Sequence, residues 1–473
     1  VLNISANERR AFIFKQLIFL LILDAPDKHI IRKLIIDLNI SDEKKAFAVQ
    51  QEIGDIVKNK LNESLDRYFK SLSRNGDHLR IDHLDLDLGE INKNHLQEEI
   101  TEKIIESLDR QVKAQMQTRK HHDPYPKFPG VKKDGISDSY GIQWQDQEAS
   151  LMELLMFYLI RGYYPWWSDD IPIKRLEQEL SDLLSYKWKR KDASEGNKAQ
   201  WLTNLTNVLE EYPQARERLV FQFDDSVYYS FIDYFQPRQS QYHTDIEKML
   251  LKAFQRIFPK KGRAYISAGL EKTIKGYMIH AIFEVSRNPF AEGDYLEDFL
   301  RRMVEHAASS ESNLNGSELL EALSDEENLE KKDKMPLARR KQIVEALRKI
   351  RKSTEDKSFA IKAHSEKKVN KHETKQHFKK EDAHIIENAG MVLIAWFLPP
   401  LFRNLKFVEE DHVVNDEAIQ KAIHLSQLLV TGQHDAEERH LLLNKILCGV
   451  NKDFVVAKDW NFTKEEVEAC EEM

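Results

Sequence analysis

The chain has 473 residues, of which 32% are charged and 41% hydrophobic, and its formal net charge at pH 7 is −8. This length predicts two to four domains with enough apolar material for their cores. Two cysteines, Cys448 and Cys470, exclude a disulfide framework and indicate a reducing compartment. The 16 glycines are about half the usual share, which favours a mainly α-helical fold.

The first 118 residues predict a small β-α-β-α unit. Apolar and polar residues alternate over 29–40 and 78–88, which predicts two strands, and apolar residues at helical spacing predict helices over 42–72 and 94–117. The uncharged run Gln16–Leu23 lacks the cleavage site of a signal peptide, so we interpret it as a buried helix.

Composition predicts the domain and linker boundaries after residue 118. Three prolines and three glycines between Pro124 and Gly141 predict a linker over 119–146, and closely spaced helical patterns predict an α-helical domain over 147–305. Residues 306–380 are predicted to be a charged basic linker, since Lys331–Lys380 contains 18 Lys and Arg against 6 Asp and Glu. Within it, Ile343, Val344, Leu347 and Ile350 indicate one amphipathic helix.

Residues 381–473 predict a C-terminal helical unit. It begins with fifteen uncharged residues, Asn388–Phe402, which is short of the roughly 20 that cross a bilayer. We predict a buried core helix over Ala389–Leu398, stopped by Pro399 and Pro400, with docking onto a partner protein as the alternative.

Two further helices follow in this unit. The first is predicted to end at Thr431-Gly432, where glycine can adopt the left-handed conformation. Asp435 and Glu438 have the spacing of a capping box for the second, which Gly449 closes. Short loops predict that the three helices pack together.

Trp166 and Trp167 follow Pro165 in a turn, and Gly162 is positioned to cap the helix before it. Tryptophan pairs either anchor interfaces or pack a loop onto its own domain. We favour packing and keep the interface as the alternative.

No nucleophile signature or metal-ligand spacing stands out. Asp82, Asp85, Asp87 and Glu90 alternate with leucines, which indicates the solvent face of a half-buried strand rather than a calcium loop. His121-His122-Asp123 lacks partner ligands, and Gly130 and Gly135 lack the lysine of a phosphate loop. We therefore expect neither enzyme activity nor a cofactor.

Three blocks resemble a known family in their order along the chain. They are His29–Arg32 with Leu79–Gly89, then Ile160–Trp167, and then Glu387–Gly390, Phe397–Pro399, Leu429–Gly432 and Leu441–Gly449. In these residues the chain resembles the tape measure proteins of contractile injection systems, the phage-tail-like syringes that bacteria assemble. Members of that family continue beyond the last block, so the resemblance implies that this chain is C-terminally incomplete.

The resemblance implies a structural protein that lies in the tube lumen, nucleates tube growth at the baseplate and sets the tube's final length. Its implied partners are inner tube, baseplate and spike proteins, with self-association in the lumen, and it would assemble in the cytoplasm before incorporation into the particle. The candidate protein-interaction residues are Gly162, Pro165, Trp166, Trp167, Glu387, Asn388, Trp396, Phe397, Pro399, Asn444 and Lys445.

Two alternatives remain open. A baseplate or tube-cap component of the same machine would share the helical composition. A nucleic-acid-binding scaffold would use the basic stretch, whose local balance is +12, to release counterions from phosphate. Only Phe359 and Phe378 lie in that stretch for base stacking, so we disfavour nucleic acid as a partner and keep it as an alternative.

Overall fold

The computed structural model describes most of the chain, with gaps between the described segments. The described residues are 12–14, 19–23, 29–40, 43–72, 78–81, 84–92, 95–118, 142–145, 147–165, 168, 171–185, 195–236, 240–257, 263–287, 295–310, 314–324, 335–356, 386, 388–409, 412–413, 416–433, 436–458 and 462–472. The chain divides into two compact units, Val1–Glu153 (unit 1) and Leu154–Met473 (unit 2).

Unit 1 contains short antiparallel strand pairs. Its strands are β1 (Phe12–Phe14), β2 (Phe19–Leu23), β3 (His29–Leu34), β4 (Leu38–Ile40), β5 (His78–Ile81) and β6 (Ile142–Gln145). The described pairs are β1 with β4, β2 with β3, and β5 with β6.

This pairing does not support the predicted β-α-β-α unit, because β3 and β5 each pair with a strand that the sequence did not reveal. The predicted strand over 29–40 is two strands in two different sheets, and β5 ends at Ile81 rather than at residue 88. The run Gln16–Leu23, interpreted as a helix, contains β2. Residues 142–145 of the predicted linker form β6.

The helices of unit 1 follow their apolar spacing. They are α1 (Glu43–Ile56), which continues through a π-helical turn (Val57–Leu61) into α2 (Asn62–Leu72), and α3 (Leu96–Thr118). Ile53, Leu61, Ile100 and Val112 on these helices are almost completely buried in one core. Leu86 and Leu88 join that core while Asp85, Asp87 and Glu90 are exposed, which confirms the solvent-facing position of these three carboxylates although they lie outside β5. Asp82 lies outside the described residues.

Unit 2 is helical apart from one short hairpin among its described residues. The helices described before residue 357 are α4 (Gln147–Arg161, which begins before the division), α5 (Ile173–Ser185), α6 (Glu195–Glu211), α7 (Pro213–Phe221), α8 (Asp225–Phe235), α9 (Ser240–Ile257), α10 (Arg263–Arg287), α11 (Tyr295–Ser310), α12 (Gly316–Ser324) and α13 (Leu337–Asp356). Helix α10 packs against α7, α9 and α11. The mainly α-helical fold predicted from composition is therefore confirmed.

The described part of the predicted basic linker, residues 306–380 (the basic segment), also contains packed helices. Helix α12 packs against α9, and α13 packs against α11 and α12. Ile343, Leu347 and Ile350 of α13 are almost fully buried, and Arg339 pairs with Asp245 of α9 at 2.6 Å. The amphipathic helix predicted here thus belongs to the packed helical body, while the boundaries predicted at 306 and 380 remain predictions.

The C-terminal segment contributes α14 (Met391–Ile394), a 3-10 turn (Ala395–Phe397), α15 (Leu398–Asn404), β7 (Val408–Glu409), β8 (His412–Val413), α16 (Asp416–Thr431), a 3-10 turn (Glu438–His440), α17 (Leu442–Leu447) and α18 (Lys464–Glu471). Helix α16 packs against α17 and α18. Helix α16 ends at Thr431, as predicted, and Gly432 adopts the left-handed conformation with φ +68°. Within the described residues, no helix is both long and apolar enough to cross a membrane.

Candidate interaction surface and the buried polar networks

The uncharged run at the start of the C-terminal segment has two apolar faces. Met391 and Leu398, seven residues apart, are buried in the interior. Val392, Leu393, Trp396 and Phe397 point to the other side with 55%, 81%, 87% and 58% of their surface exposed, and we call these four residues the apolar surface. The predicted core helix over Ala389–Leu398 is therefore wrong for these four, since a helix can bury only the face that its own domain covers.

The double proline begins a helix instead of ending one. Leu398 is the first residue of α15, and Pro399 and Pro400 lie in its first turn, where no backbone N–H is needed. The 3-10 turn of Ala395–Phe397 joins α14 to α15. Pro399 is exposed next to the apolar surface.

A buried amide network anchors the start of this run. The side-chain Nδ2 of Asn388 donates to Gln427 Oε1 at 2.8 Å and to Asn444 Oδ1 at 2.7 Å. Asn444 Nδ2 in turn donates to Ser426 Oγ at 2.9 Å. Asn388 and Asn444 come from separate blocks of the family resemblance, and the fold brings them into direct contact with α16.

A second network is charged and deeply buried. Arg218 of α7 donates from Nε to both carboxylate oxygens of Glu438 at 3.1 Å, and neither side chain has any exposed surface. Its Nη1 donates to the carbonyl oxygens of Leu159 and Ile160, at 2.9 and 2.6 Å, and its Nη2 to that of Asp453 at 2.6 Å. One guanidinium thereby joins α4, α7 and the C-terminal segment.

Lys445 completes this charged network. Its Nζ donates to Glu438 Oε1 at 2.5 Å and to the Lys452 carbonyl at 3.2 Å. Burial lowers the pKa of Lys445, and the adjacent Glu438 carboxylate opposes that change. The Glu438 carboxylate accepts from two cations, Arg218 and Lys445. Removing Glu438 would therefore leave both cations buried without this negative partner.

Gly162 is required by this arrangement. It follows α4 with φ +76°, and its N–H donates to the Tyr158 carbonyl at 2.7 Å, which caps the helix as predicted. A Cβ at this position would lie 2.1 Å from Glu438 Oε1 and 2.7 Å from Arg218 Nε. The carboxylate therefore occupies the space that only a glycine leaves.

The turn after Gly162 also packs against the C-terminal segment. The Arg439 guanidinium lies over the Tyr164 ring at 4.9 Å and Lys452 Nζ over the Tyr163 ring at 5.9 Å. Pro165 is buried, and its carbonyl accepts from Ser168. Trp166, Trp167 and Glu387 lie outside the described residues, so the two interpretations of the tryptophan pair remain predictions.

Sequence reasoning missed Arg218, Gln222 and Asp453, and it assigned Glu438 a different role. Glu438 was predicted to form a capping box with Asp435, which lies outside the described residues, whereas its carboxylate binds Arg218 and Lys445. Gln222 supports the network by accepting from Tyr158 Oη at 3.1 Å and from the Glu438 N–H at 3.3 Å. No local spacing signals these residues, because their partners lie in distant parts of the chain.

The chemistry of these networks is structural. Most of their charged and amide groups pair with one another inside the protein, and the described residues contain no group of three or more His, Cys, Asp or Glu placed to hold a metal ion. The apolar surface exposes four large, uncharged side chains close together.

Comparison with known proteins gives one match. The family model for contractile injection system tape measure proteins matches residues 28–473. No curated protein matches the chain, and no solved structure does so either. The match includes both networks and the apolar surface, and it covers nearly the whole sequence. The chain therefore belongs to the contractile injection system tape measure protein family.

Proposed function

We propose that this chain sets the length of the injection tube and nucleates tube assembly at the baseplate. The family match over 28–473 carries the proposal, because it covers the folded units and the basic segment together. Inner tube, baseplate and spike proteins are the proposed partners. Assembly would take place in the cytoplasm, followed by incorporation into the particle.

A ruler needs a span proportional to residue number. A helix rises about 1.5 Å per residue, so a fully helical chain of this length would reach at most roughly 700 Å. Helices packed side by side, as α9–α13 are, add little to the span. Residues 357–380, the part of the basic segment after α13, are mostly polar in sequence and have few large apolar residues, so we assign the ruler to them.

The proposed nucleating end is the C-terminal segment. Arg218, Glu438 and Lys445 fix it on the helical body, and the Asn388–Asn444 contact fixes the start of the uncharged run. A rigid element loses little conformational entropy on docking, which favours an early contact in assembly. The proposed interaction role of Trp396, Phe397 and Pro399 depends on this rigidity.

The test of the ruler varies only 357–380, so that α13 and its core packing are unchanged. Deleting these residues should shorten assembled tubes by about 36 Å if they act as a helical ruler, and duplicating them should lengthen tubes by the same amount. A scrambled 357–380 of equal length is the control and should leave length unchanged. Tubes of constant length across this series would remove the segment from the ruler.

The packing of unit 2 favours a second candidate, a baseplate or tube-cap component of the same machine. Such a component acts through its surface, so tube length would not depend on the number of residues in 357–380. Loss of the chain would then abolish particles, while the deletion and duplication variants would both give tubes of normal length. Electron microscopy of the same variants separates the two functions.

A further inference from the structure

We propose that Arg216 of α7, His280 of α10 and His306 of α11 form an acid-sensitive joint, which holds these helices together at neutral pH and opens when the two imidazoles take up protons. We call these three residues the histidine joint. The inference concerns the regulation of the helical body of unit 2, and it depends neither on tube length nor on any partner.

The hydrogen bond between Arg216 and His280 supplies the first argument. The Arg216 Nε–H donates to His280 Nδ1 at 3.1 Å, so this ring nitrogen carries a lone pair and the imidazole proton lies on Nε2. A guanidinium keeps its charge throughout the pH range of a folded protein. Protonating Nδ1 would therefore turn two N–H groups towards each other, and the contact exists only while His280 is neutral.

Arg216 is held in place on its other side. Its Nη1 donates to the carbonyl oxygens of Leu209 and Glu210 in the last turn of α6, at 2.6 and 3.4 Å. Its Cζ lies 5.5 Å from the centre of the Phe283 ring, and the residue is only 7% exposed. A protonated His280 would thus face a fixed positive charge that water screens poorly.

The second imidazole adds to the same site. The His280 and His306 rings lie 4.5 Å apart with an angle of 34° between their planes. His280 is buried, whereas His306 is half-buried and accessible to protons from solvent. Burial and the neighbouring His280 and Arg216 lower the pKa of His306 to about 4, while Glu217 opposes this change. Two imidazolium rings at this distance would repel each other inside the protein.

Little negative charge is available to compensate. Glu217 Oε1 lies 3.8 Å from His280 Nε2, beyond hydrogen-bonding distance, and its side chain is 42% exposed, so water weakens the attraction. Glu284 of α10 already pairs with Arg302 of α11 at 3.7 Å. Among the described residues, the charges that act on His306 belong to α7 and α10, although α12 and α13 also pack against α11.

Helix α9 faces the joint with an uncharged ring. Phe254 of α9 stacks on Tyr277 of α10, and the Tyr277 ring meets the His306 ring edge-on at 5.7 Å. The buried histidine of α9, His243, instead packs against Phe299 at 4.6 Å. His243 therefore provides a matched control, since it is a buried histidine without the Arg216 contact.

The three positive charges of the acid form come from three different helices, so separating α7, α10 and α11 relieves their repulsion. In the opened joint His306 regains the ordinary histidine pKa of about 6.5, whereas in the closed joint its pKa is about 4. The opened form binds the proton more tightly, so opening increases as the pH falls from 6.5 towards 4. The proton of His306 alone makes the increase about tenfold per pH unit.

Hydrogen exchange of the full-length chain measures this opening, with amide rates corrected for the intrinsic effect of pH. We expect the amides of α7, α10 and α11 to exchange at least about 30-fold faster at pH 4.5 than at pH 6.5. The amides of α5, in the same unit, should change much less. His243→Gln should retain the acceleration in α7, α10 and α11.

Two substitutions remove the titrating groups with little change of shape. His306→Phe keeps an aromatic ring, and His280→Gln keeps an acceptor for Arg216. The double variant should lose most of the acceleration, and His306→Phe alone should lower it at least about tenfold. Circular dichroism at pH 6.5 checks that each variant is folded.

Three results would overturn the proposal. The first is an unchanged corrected exchange rate in the wild type between the two pH values. The second is the same acceleration in wild type and in folded His306→Phe. The third is equal acceleration throughout unit 2, including α5, which would indicate global unfolding rather than a local joint.

Discussion

The space left by Gly162 gives the sharpest test of the buried charged network. In Gly162→Ala the new Cβ would lie 2.1 Å from Glu438 Oε1 and 2.7 Å from Arg218 Nε. Both side chains have no exposed surface, and both are held by further hydrogen bonds, so neither has room to move aside. The substitution should therefore separate the ion pair.

The magnitude has two parts. A side chain at φ +76° costs about 1–2 kcal/mol, because the left-handed conformation brings Cβ close to the following carbonyl. Separating one partner of a buried ion pair costs about 3–5 kcal/mol more, since a charge is left without its counterpart away from water. Together the free energy of unfolding of unit 2 should fall by about 4–7 kcal/mol.

Urea unfolding of the full chain, followed by circular dichroism, measures this loss, with the transition of unit 2 fitted separately. Gly432→Ala is the matched control, because Gly432 has φ +68° and nothing lies within 4 Å of its Cβ position. It should cost only the conformational part, about 1–2 kcal/mol. An equal loss in the two variants would refute the packing argument.

Two further predictions concern buried polar groups. Asn388→Ala should lower the free energy of unfolding by about 2–4 kcal/mol, because its two buried acceptors lose their donor, whereas alanine at the exposed Asn404 should change it little by the same urea assay. Burial lowers the pKa of His243 and of His306 to about 4, in His306 with the help of the neighbouring His280. The unfolded chain binds these protons below about pH 6.5, so stability present above that pH should fall towards pH 4, by up to about 1.4 kcal/mol per unit for each histidine. Urea midpoints measured between pH 4 and pH 6.5 should depend less on pH in a His243→Gln, His306→Gln double variant than in the wild type. An equal pH dependence in the two proteins would contradict the assignment of this loss to the two histidines.

The elements that the sequence predicted well are those defined by local spacing. The helix of 43–72, the end of α16 at Thr431, and the alternation of Leu86 and Leu88 with Asp85 depend on neighbours within a few positions. Helix periodicity and the left-handed conformation of glycine are properties of the local backbone. These features therefore do not depend on how distant parts of the chain fold.

The predictions that failed needed information from distant parts of the chain. Strand β3 pairs with β2, and β5 pairs with β6, which lies far along the chain, so the predicted β-α-β-α pairing had no local signal to correct it. The double proline was taken as a stop, although proline is equally compatible with the first turn of a new helix. Only the placement of α15 distinguishes the two.

The sequence by itself determined a mainly helical chain, the helices of 43–72, α3 and α16, and an uncharged run whose apolar residues surround the helix. Tertiary structure decided which face of that run is buried, since Met391 and Trp396 are alike in hydrophobicity and differ only in whether the helical body covers them. It also decided the role of Glu438, whose partner Arg218 lies 220 positions earlier. The physical reason is that burial and ion pairing depend on distances in space, which periodicity along the chain does not specify.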